Sequence, residues 1–304
     1  MPDLLREAPP RPAPAADRRP AAVVVAVAIC VLAWASAFVV IRGVGAHFSG
    51  GALALARLLV GAVLLGLPLL GRPWPRPTAR EWALVAAYGF SWFGLYNVAL
   101  NVAEHTLDAG TAAMIVNIGP LLIALGAGIF LGERLSAWLA IGSAVAFVGA
   151  ILIGLGAGSV RLGNGTGVVL ALLAAFAYAG GVLCQKVALR RLPAAQVTWL
   201  GCLFGAALCL PFLGGLVGEL RAAPPGAIAG ALYLGAVPTA VAFSAWSFAL
   251  ARLPAGQLGV TTYLVPALVV LLGFVAFGEV PAPLAIAGGA VCLGGVALSR
   301  RRAA

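Results

Sequence analysis

The chain has 304 residues, 62% of them hydrophobic and 9% charged, and a mean hydropathy of +1.07. No water-soluble fold hides that much apolar surface, so the unit to count is the membrane span of about 20 apolar residues. The net charge of +10 would suit a nucleic-acid binder, but the arginines gather in tails and in short gaps between apolar runs, the pattern of membrane topology.

Residues 1–20 are rich in Pro, Ala and Arg without apolar periodicity and read as a disordered cytoplasmic tail. Charged or Pro/Gly-rich breaks then delimit ten transmembrane helices, near Ala22–Gly43, Gly51–Leu70, Glu81–Ala103, Ala109–Leu131, Ala137–Leu155, Gly165–Leu189, Ala194–Gly215, Pro225–Ala251, Gly256–Phe277 and Pro281–Ser299. A basic cytoplasmic tail, 300–304, closes the chain. The first run follows arginines and contains Ala35-Ser36-Ala37, the outline of a cleavable signal peptide. A counterpart of that run deep inside the chain argues against cleavage. The short connections make neighbouring helices antiparallel. With the N-terminus cytoplasmic, fifteen of the nineteen Lys and Arg fall on the cytoplasmic side, which places both termini inside.

The second half repeats the first. At a constant offset of 146 residues Gly110 falls on Gly256, Pro120 on Pro266, Gly132-Glu133 on Gly278-Glu279, Gly142 on Gly288 and Gly149 on Gly295. Trp34 and Arg42 match Tyr178 and Lys186 at an offset of 144, so the loops between absorb two residues; the second and seventh helices share little beyond a late proline, Pro68 and Pro211. The repeats are 21–156 and 164–299. Five helices per copy leave the second copy upside down, the plan of a transporter with a cavity between two inverted halves.

The chemistry the chain lacks narrows the function. Only His47 and His105 are present, with no HExxH, no GxSxG and no carboxylate pair within a span, so neither an enzyme nor a metal or cofactor is expected. The five cysteines sit singly in apolar runs as small buried hydrophobes. All nine carboxylates lie in the tail or near helix ends, which favours movement down the substrate's own gradient over proton antiport.

The third helix carries Tyr88, Trp92 and Tyr96 at spacings of four, on one face, with Asn97 and Asn101 beside them. The first helix adds Trp34, Ser36 and Phe38, the sixth Tyr178 and Gln185, the eighth Ser244, Trp246 and Ser247. Pro120 and Pro266 should kink the fourth and ninth helices, and the repeat-equivalent Asn117 and Tyr263 stand three residues before them. Together these residues would line an aromatic-walled, mostly neutral cavity suited to a small solute with an apolar or aromatic body and a polar end. The two prolines are the candidate hinges. Glu133 and Glu279 read as loop carboxylates near the N-terminus of the next helix, with a gating contact as the alternative. Arg57 alone among the basic residues lies well inside a span, where it could snorkel to the outer interface; Arg42 and Lys186 stand near opposite mouths.

The run from Gly119-Pro120 through Gly132-Glu133 to Gly142 and Gly149, repeated from Val265-Pro266 through Gly278-Glu279 to Gly295, resembles the EamA domain of the drug/metabolite transporter superfamily. Trp34, Tyr178 and Arg57 fit the same resemblance. It implies an all-α membrane protein of ten helices, as two inverted five-helix repeats around a central cavity lined by helices one, three, four, six, eight and nine. Members commonly export amino acids and other metabolites across the bacterial inner membrane, and the aromatic wall is similar to what a YddG-type aromatic amino-acid exporter would need. Some relatives pair as dimers, so monomer and homodimer both stay open, or use a glutamate in the first helix for proton exchange. Here that stretch reads Ala33-Trp34-Ala35-Ser36-Ala37, without an acid. The expected partners are a small-molecule substrate and the lipid bilayer, not nucleic acid; a cation extruder and a non-transporting scaffold are the other readings.

Overall fold

A computed structural model of the chain describes residues 20–104, 115–156, 165–278 and 282–301. Among the described residues every regular element is helical. The first half holds α1 (Pro20–Val44), α2 (Gly50–Gly66), α3 (Ala79–Tyr88), α4 (Tyr96–Glu104), α5 (Gly119–Leu131) and α6 (Ala137–Gly156). The second holds α7 (Gly165–Ala188), α8 (Ala194–Cys209), α9 (Leu213–Ala222), α10 (Pro225–Leu234), α11 (Ala242–Leu250), α12 (Ala255–Thr261), α13 (Leu264–Phe277) and α14 (Pro283–Ser299). Eight stretches are long and apolar enough to cross a bilayer: 21–41, 50–69, 79–100, 137–156, 165–188, 194–222, 225–250 and 255–275. Two of the ten expected spans are shorter apolar helices, α5 and α14. The 17 residues of α14 reach only about 25 Å, against about 30 Å of hydrocarbon. The expected start of the fourth span, Ala109, lies outside the described residues.

Helix boundaries follow local chemistry. Ser49 caps α2, and α3 opens on a reciprocal capping box in which Thr78 N donates to Glu81 Oε2 at 2.7 Å and Glu81 N to Thr78 Oγ1 at 3.3 Å. The late prolines Pro68 and Pro211 both sit in short tight turns, Leu67–Leu69 and Leu210–Phe212, so this part of the repeat survives in backbone shape.

The two copies share a deeper irregularity. Between α3 and α4 the chain widens into a π-turn at Gly89–Leu95, and between α10 and α11 into another at Gly235–Val241, the same positions at an offset of 146. Tyr96 N passes over Trp92 O to reach Ser91 O, and Ala242 N similarly reaches Val237 O. Pro238 lies in the second π-turn while Trp92 holds the equivalent place in the first, so proline is not what the two turns have in common. Such turns free main-chain carbonyls, and they recur at functional sites.

The fourth and ninth apolar runs each contain a break in the helix. A two-residue turn at Asn117–Ile118 precedes α5, and one at Thr262–Tyr263 separates α12 from α13. Pro120 and Pro266 therefore occupy the first turn of the helix after the break, where a missing N–H costs little, and the break itself falls one turn before each proline. That corrects the simple mid-helix kink. Both spans end alike, at Gly132 and Gly278, each with a φ of +67° that only glycine adopts freely.

The last helices of the two copies form a closely packed spine. Gly142 and Gly149 of α6 face Gly288 and Gly295 of α14 so closely that a Cβ on Gly149 would lie 2.5 Å from Cys292 N and 2.7 Å from Gly288 O. Small residues at a spacing of seven recur on one face, and bilayer helices pack backbone to backbone through such stripes.

The connecting loops meet at one end of the bundle. Arg191 pairs with Glu81 and donates to Arg76 O at 2.9 Å, Gln196 donates to Pro75 O at 3.1 Å, and Lys186 Nζ donates to Leu250 O and Leu253 O, both at 2.6 Å. Arg301 lies over the Trp138 ring at the same end. Two of the basic loops read from the sequence as lying on one side, those holding Arg76 and Arg191, are in contact.

Candidate functional site

Five rings from four segments meet between the halves. Trp92, in the first π-turn, lies 5.0 Å from Tyr178 of α7, 5.0 Å from Phe243 and 5.4 Å from Trp246 of α11 by ring centroid, and 6.0 Å from Trp34 of α1. Trp34 in turn lies 5.4 Å from Phe243 and 5.2 Å from Trp246. Most pairs are edge-on or tilted, the arrangement aromatic quadrupoles favour. Tyr96 extends the group, 6.1 Å from Tyr178. The expected aromatic wall exists, but its rings touch one another instead of standing apart around an open space.

The π-turns hold this cluster in place. Ala242 N bonds to Thr239 O and Val237 O, leaving Pro238 O free, and Trp34 Nε1 donates to it at 3.2 Å. In the first copy Asn97 Nδ2 donates to Phe93 O at 2.7 Å and lies 3.5 Å from the Trp92 carbonyl that Tyr96 N bypasses. Asn97, expected to meet a solute, thus spends its amide on the backbone of the turn. Ser36 Oγ pairs with Tyr233 Oη at 2.8 Å, joining α1 to α10.

On the basic side of the rings lies a buried polar knot. Gln185 Nε2 donates to Tyr88 Oη at 3.0 Å and to Ser247 Oγ at 2.7 Å, while its Oε1 accepts from Trp246 Nε1 at 3.2 Å; Ser247 also pairs with Thr198. Every hydrogen-bonding atom of the Gln185 amide is engaged, as a fully buried amide requires. Tyr88 is fully buried here, against Trp92 and Phe93.

The interruptions of the fourth and ninth spans face each other. Tyr263 Oη donates to Asn117 O at 2.9 Å, and the Tyr178 ring lies on the backbone at Gly119, where a Cβ would start 2.5 Å from the ring. Glu133 departs from its expected place. Ser136 caps α6 through Leu139 N at 3.0 Å, and Glu133 instead crosses to the other repeat, accepting from Ala255 N at 2.9 Å and Gly256 N at 3.4 Å at the start of α12. The left-handed turn at Gly132 reverses the chain there, and four unpaired amides at a helix start attract a carboxylate. Its counterpart Glu279 lies outside the described residues.

The remaining expected residues are dispersed. Phe38 and Ser244 are exposed, and Phe38 makes no ring contact among the described residues. The side chains of Asn101 and Arg42 lie outside the described residues. Lys186 is not free at a mouth, since its ammonium is taken by the last carbonyl of α11, Leu250 O, and by Leu253 O in the turn that follows. Arg57 does not snorkel outward: it is half-buried, and its Nε donates to Thr239 Oγ1 at 3.1 Å on the second π-turn. Phe243, Thr198 and Thr239 belong to the site and were not singled out in the sequence. A lone hydroxyl in an apolar run was the only signal for the two threonines.

Comparison with known proteins agrees with this geometry. The model of the EamA-like transporter family matches residues 21–155 and 165–301, once for each copy. A protein of Streptantibioticus cattleyicolor described as a probable terminal-alkyne amino-acid exporter is 38% identical over 279 residues, covering 91% of this chain and 93% of that protein. The Bacillus subtilis transporter YdfC is 30% identical, covering 86% of each chain. A solved crystal structure superposes with a TM-score of 0.76 over 92% of this chain and 96% of the other, at 22% identity. With two apolar repeated halves in contact, and a family match over both copies, the chain is a multi-pass membrane protein belonging to the EamA-like transporter family.

Proposed function

We propose that this protein exports small amphipathic metabolites, neutral or aromatic amino acids foremost, from the cytoplasm across the bacterial inner membrane by alternating access. The observation that carries the reading is the ring cluster of Trp34, Trp92, Tyr178, Phe243 and Trp246, set beside two interrupted spans and two π-turns. Broken helices near the middle of inverted repeats are where such transporters bind solute, and rings with scattered hydroxyls suit an apolar side chain. The exporter of a terminal-alkyne amino acid among the relatives supports a neutral amino acid with an apolar side chain. A YddG-like preference for aromatic amino acids is the narrower form of the same reading.

All ten apolar helices cross the bilayer in this reading, with both termini and the joined basic loops inside, as the positive-inside rule requires. The polar knot, Lys186 and Glu133 then lie on the cytoplasmic side, and opening that side means parting them. Pro120, Pro266, Glu133 and Glu279 are the hinge and gate residues. α1 carries no acid, so efflux runs down the substrate gradient. Proteoliposomes loaded with radiolabelled L-phenylalanine, L-leucine and L-propargylglycine test this: saturable flux of at least one supports the reading, and protein-independent flux of all three overturns it.

A further inference from the structure

The charge at the middle of α2 has no described counter-charge. Arginine keeps its proton under all ordinary conditions, so a guanidinium among apolar helices needs a partner anion or a bed of acceptors. Of the five N–H donors of Arg57, only Nε has a described acceptor, Thr239 Oγ1. The described carboxylates are committed elsewhere: Glu81 to Arg191, Glu133 to the amides of α12, and Glu219 to Ser49 N at 3.0 Å.

The position of Arg57 relative to the rings gives this a function. Thr239, which holds the guanidinium, is followed back along the chain by Pro238, whose carbonyl holds Trp34. α2 also packs against α4, whose first residue, Tyr96, lies beside Tyr178. A cation with a forked set of donors is therefore fixed next to an aromatic cluster by one π-turn, on a helix packed against the one that leaves the other. We propose that Arg57 receives the carboxylate of the transported molecule, that Thr239 positions the guanidinium, and that the rings take the side chain. This rests on the amino-acid reading above and narrows it to substrates with a free carboxylate, since a forked guanidinium matches a carboxylate in bidentate fashion.

The test compares L-phenylalanine and L-propargylglycine with their carboxamides, which keep the side chain and amine but carry net positive charge. Flux is measured in proteoliposomes, and binding in detergent by quenching of tryptophan fluorescence. Wild-type protein should prefer each acid over its amide by at least about tenfold. Arg57→Gln should lose that preference, acid binding falling about tenfold or more while amide binding stays level or rises, because the repelling charge is gone. Arg57→Lys, which retains charge without the fork, should fall between the two and serves if the glutamine variant does not fold. Thr239→Val should raise the KM for the acid with an unchanged maximal rate, and Thr239→Ser should restore it. Equal loss of acid and amide in Arg57→Gln, or equal handling of both by the wild type, overturns the role of Arg57 while leaving export intact. Failure of the wild type to move or bind either acid overturns the export reading itself.

Discussion

Tyr263 Oη donates to the main-chain oxygen of Asn117 at 2.9 Å, and these two residues occupy the same place in the two copies of the repeat. Equivalent residues touch only on the pseudo-twofold axis that relates the halves. A second such pair, Cys292 Sγ with Ala146 O at 3.2 Å, marks the same axis within the glycine spine. The axis thus runs from the packed α6–α14 pair to the point where the fourth and ninth spans are interrupted.

Tyr263→Phe keeps the ring and removes the donor, leaving Asn117 O without its partner at the break. The expected cost is about 1 kcal/mol, seen as a drop of a few degrees in thermal midpoint, together with slowed flux. Scanning fluorimetry and proteoliposome flux check this; wild-type behaviour in both would show that the contact is incidental.

The spine predicts a sharp contrast within one helix pair. Gly149→Val places a side chain on the backbone of α14 and should abolish recovery of monodisperse protein by size-exclusion chromatography. Gly294→Ala, on the same partner helix but with nothing within 4 Å of its new Cβ, should behave as wild type.

Gln185→Leu strips the polar knot and leaves the Trp246 N–H buried without an acceptor, at a cost of about 1–3 kcal/mol. Thermal stability should fall clearly. Gln185→Glu should also destabilise, because it buries a charge whose described hydrogen-bond partners, Tyr88, Ser247 and Trp246, are all neutral.

Glu133→Ala removes the cap of α12, at about 0.5–2 kcal/mol, and one of the ties between the fourth span and the ninth. If the contact is a gate, flux changes several-fold while Glu133→Gln, which keeps an acceptor, stays near wild type. Pro120→Ala and Pro266→Ala should slow flux more than they lower expression, since each proline only flanks its break. Unchanged transport in both proline variants would remove them from the gating mechanism.

Much of the fold was legible because hydropathy and duplication are long-range, redundant signals. A series of apolar runs and a 146-residue offset through the later helices of each copy are hard to produce by chance; the structure holds eight membrane-length helices and two shorter apolar ones, and the family matches twice. The ring cluster was legible for a related reason, since aromatic residues deep in a span have few uses besides packing against one another. What stayed hidden is set by backbone geometry. Nothing at Trp92 announces a π-turn, so Asn97 was read as a solute contact although the bypassed carbonyls claim it. The prolines 120 and 266 located the irregularity but not its form, because the break involves a contact between distant residues, Tyr263 Oη with Asn117 O. Glu133 was assigned to the nearest helix in sequence, whereas the helix start that takes it is 122 residues away. Arg57 was sent outward by the general behaviour of long side chains, and Thr239, its actual partner, lies on another span.

The most direct measurement is amino-acid flux in proteoliposomes, with and without an imposed pH gradient. Saturable flux of neutral or aromatic amino acids down their own gradient, unchanged by the pH step, is the expected result. Flux that requires the proton gradient, or no flux beyond that of empty liposomes, would contradict facilitated export through this ring-lined site.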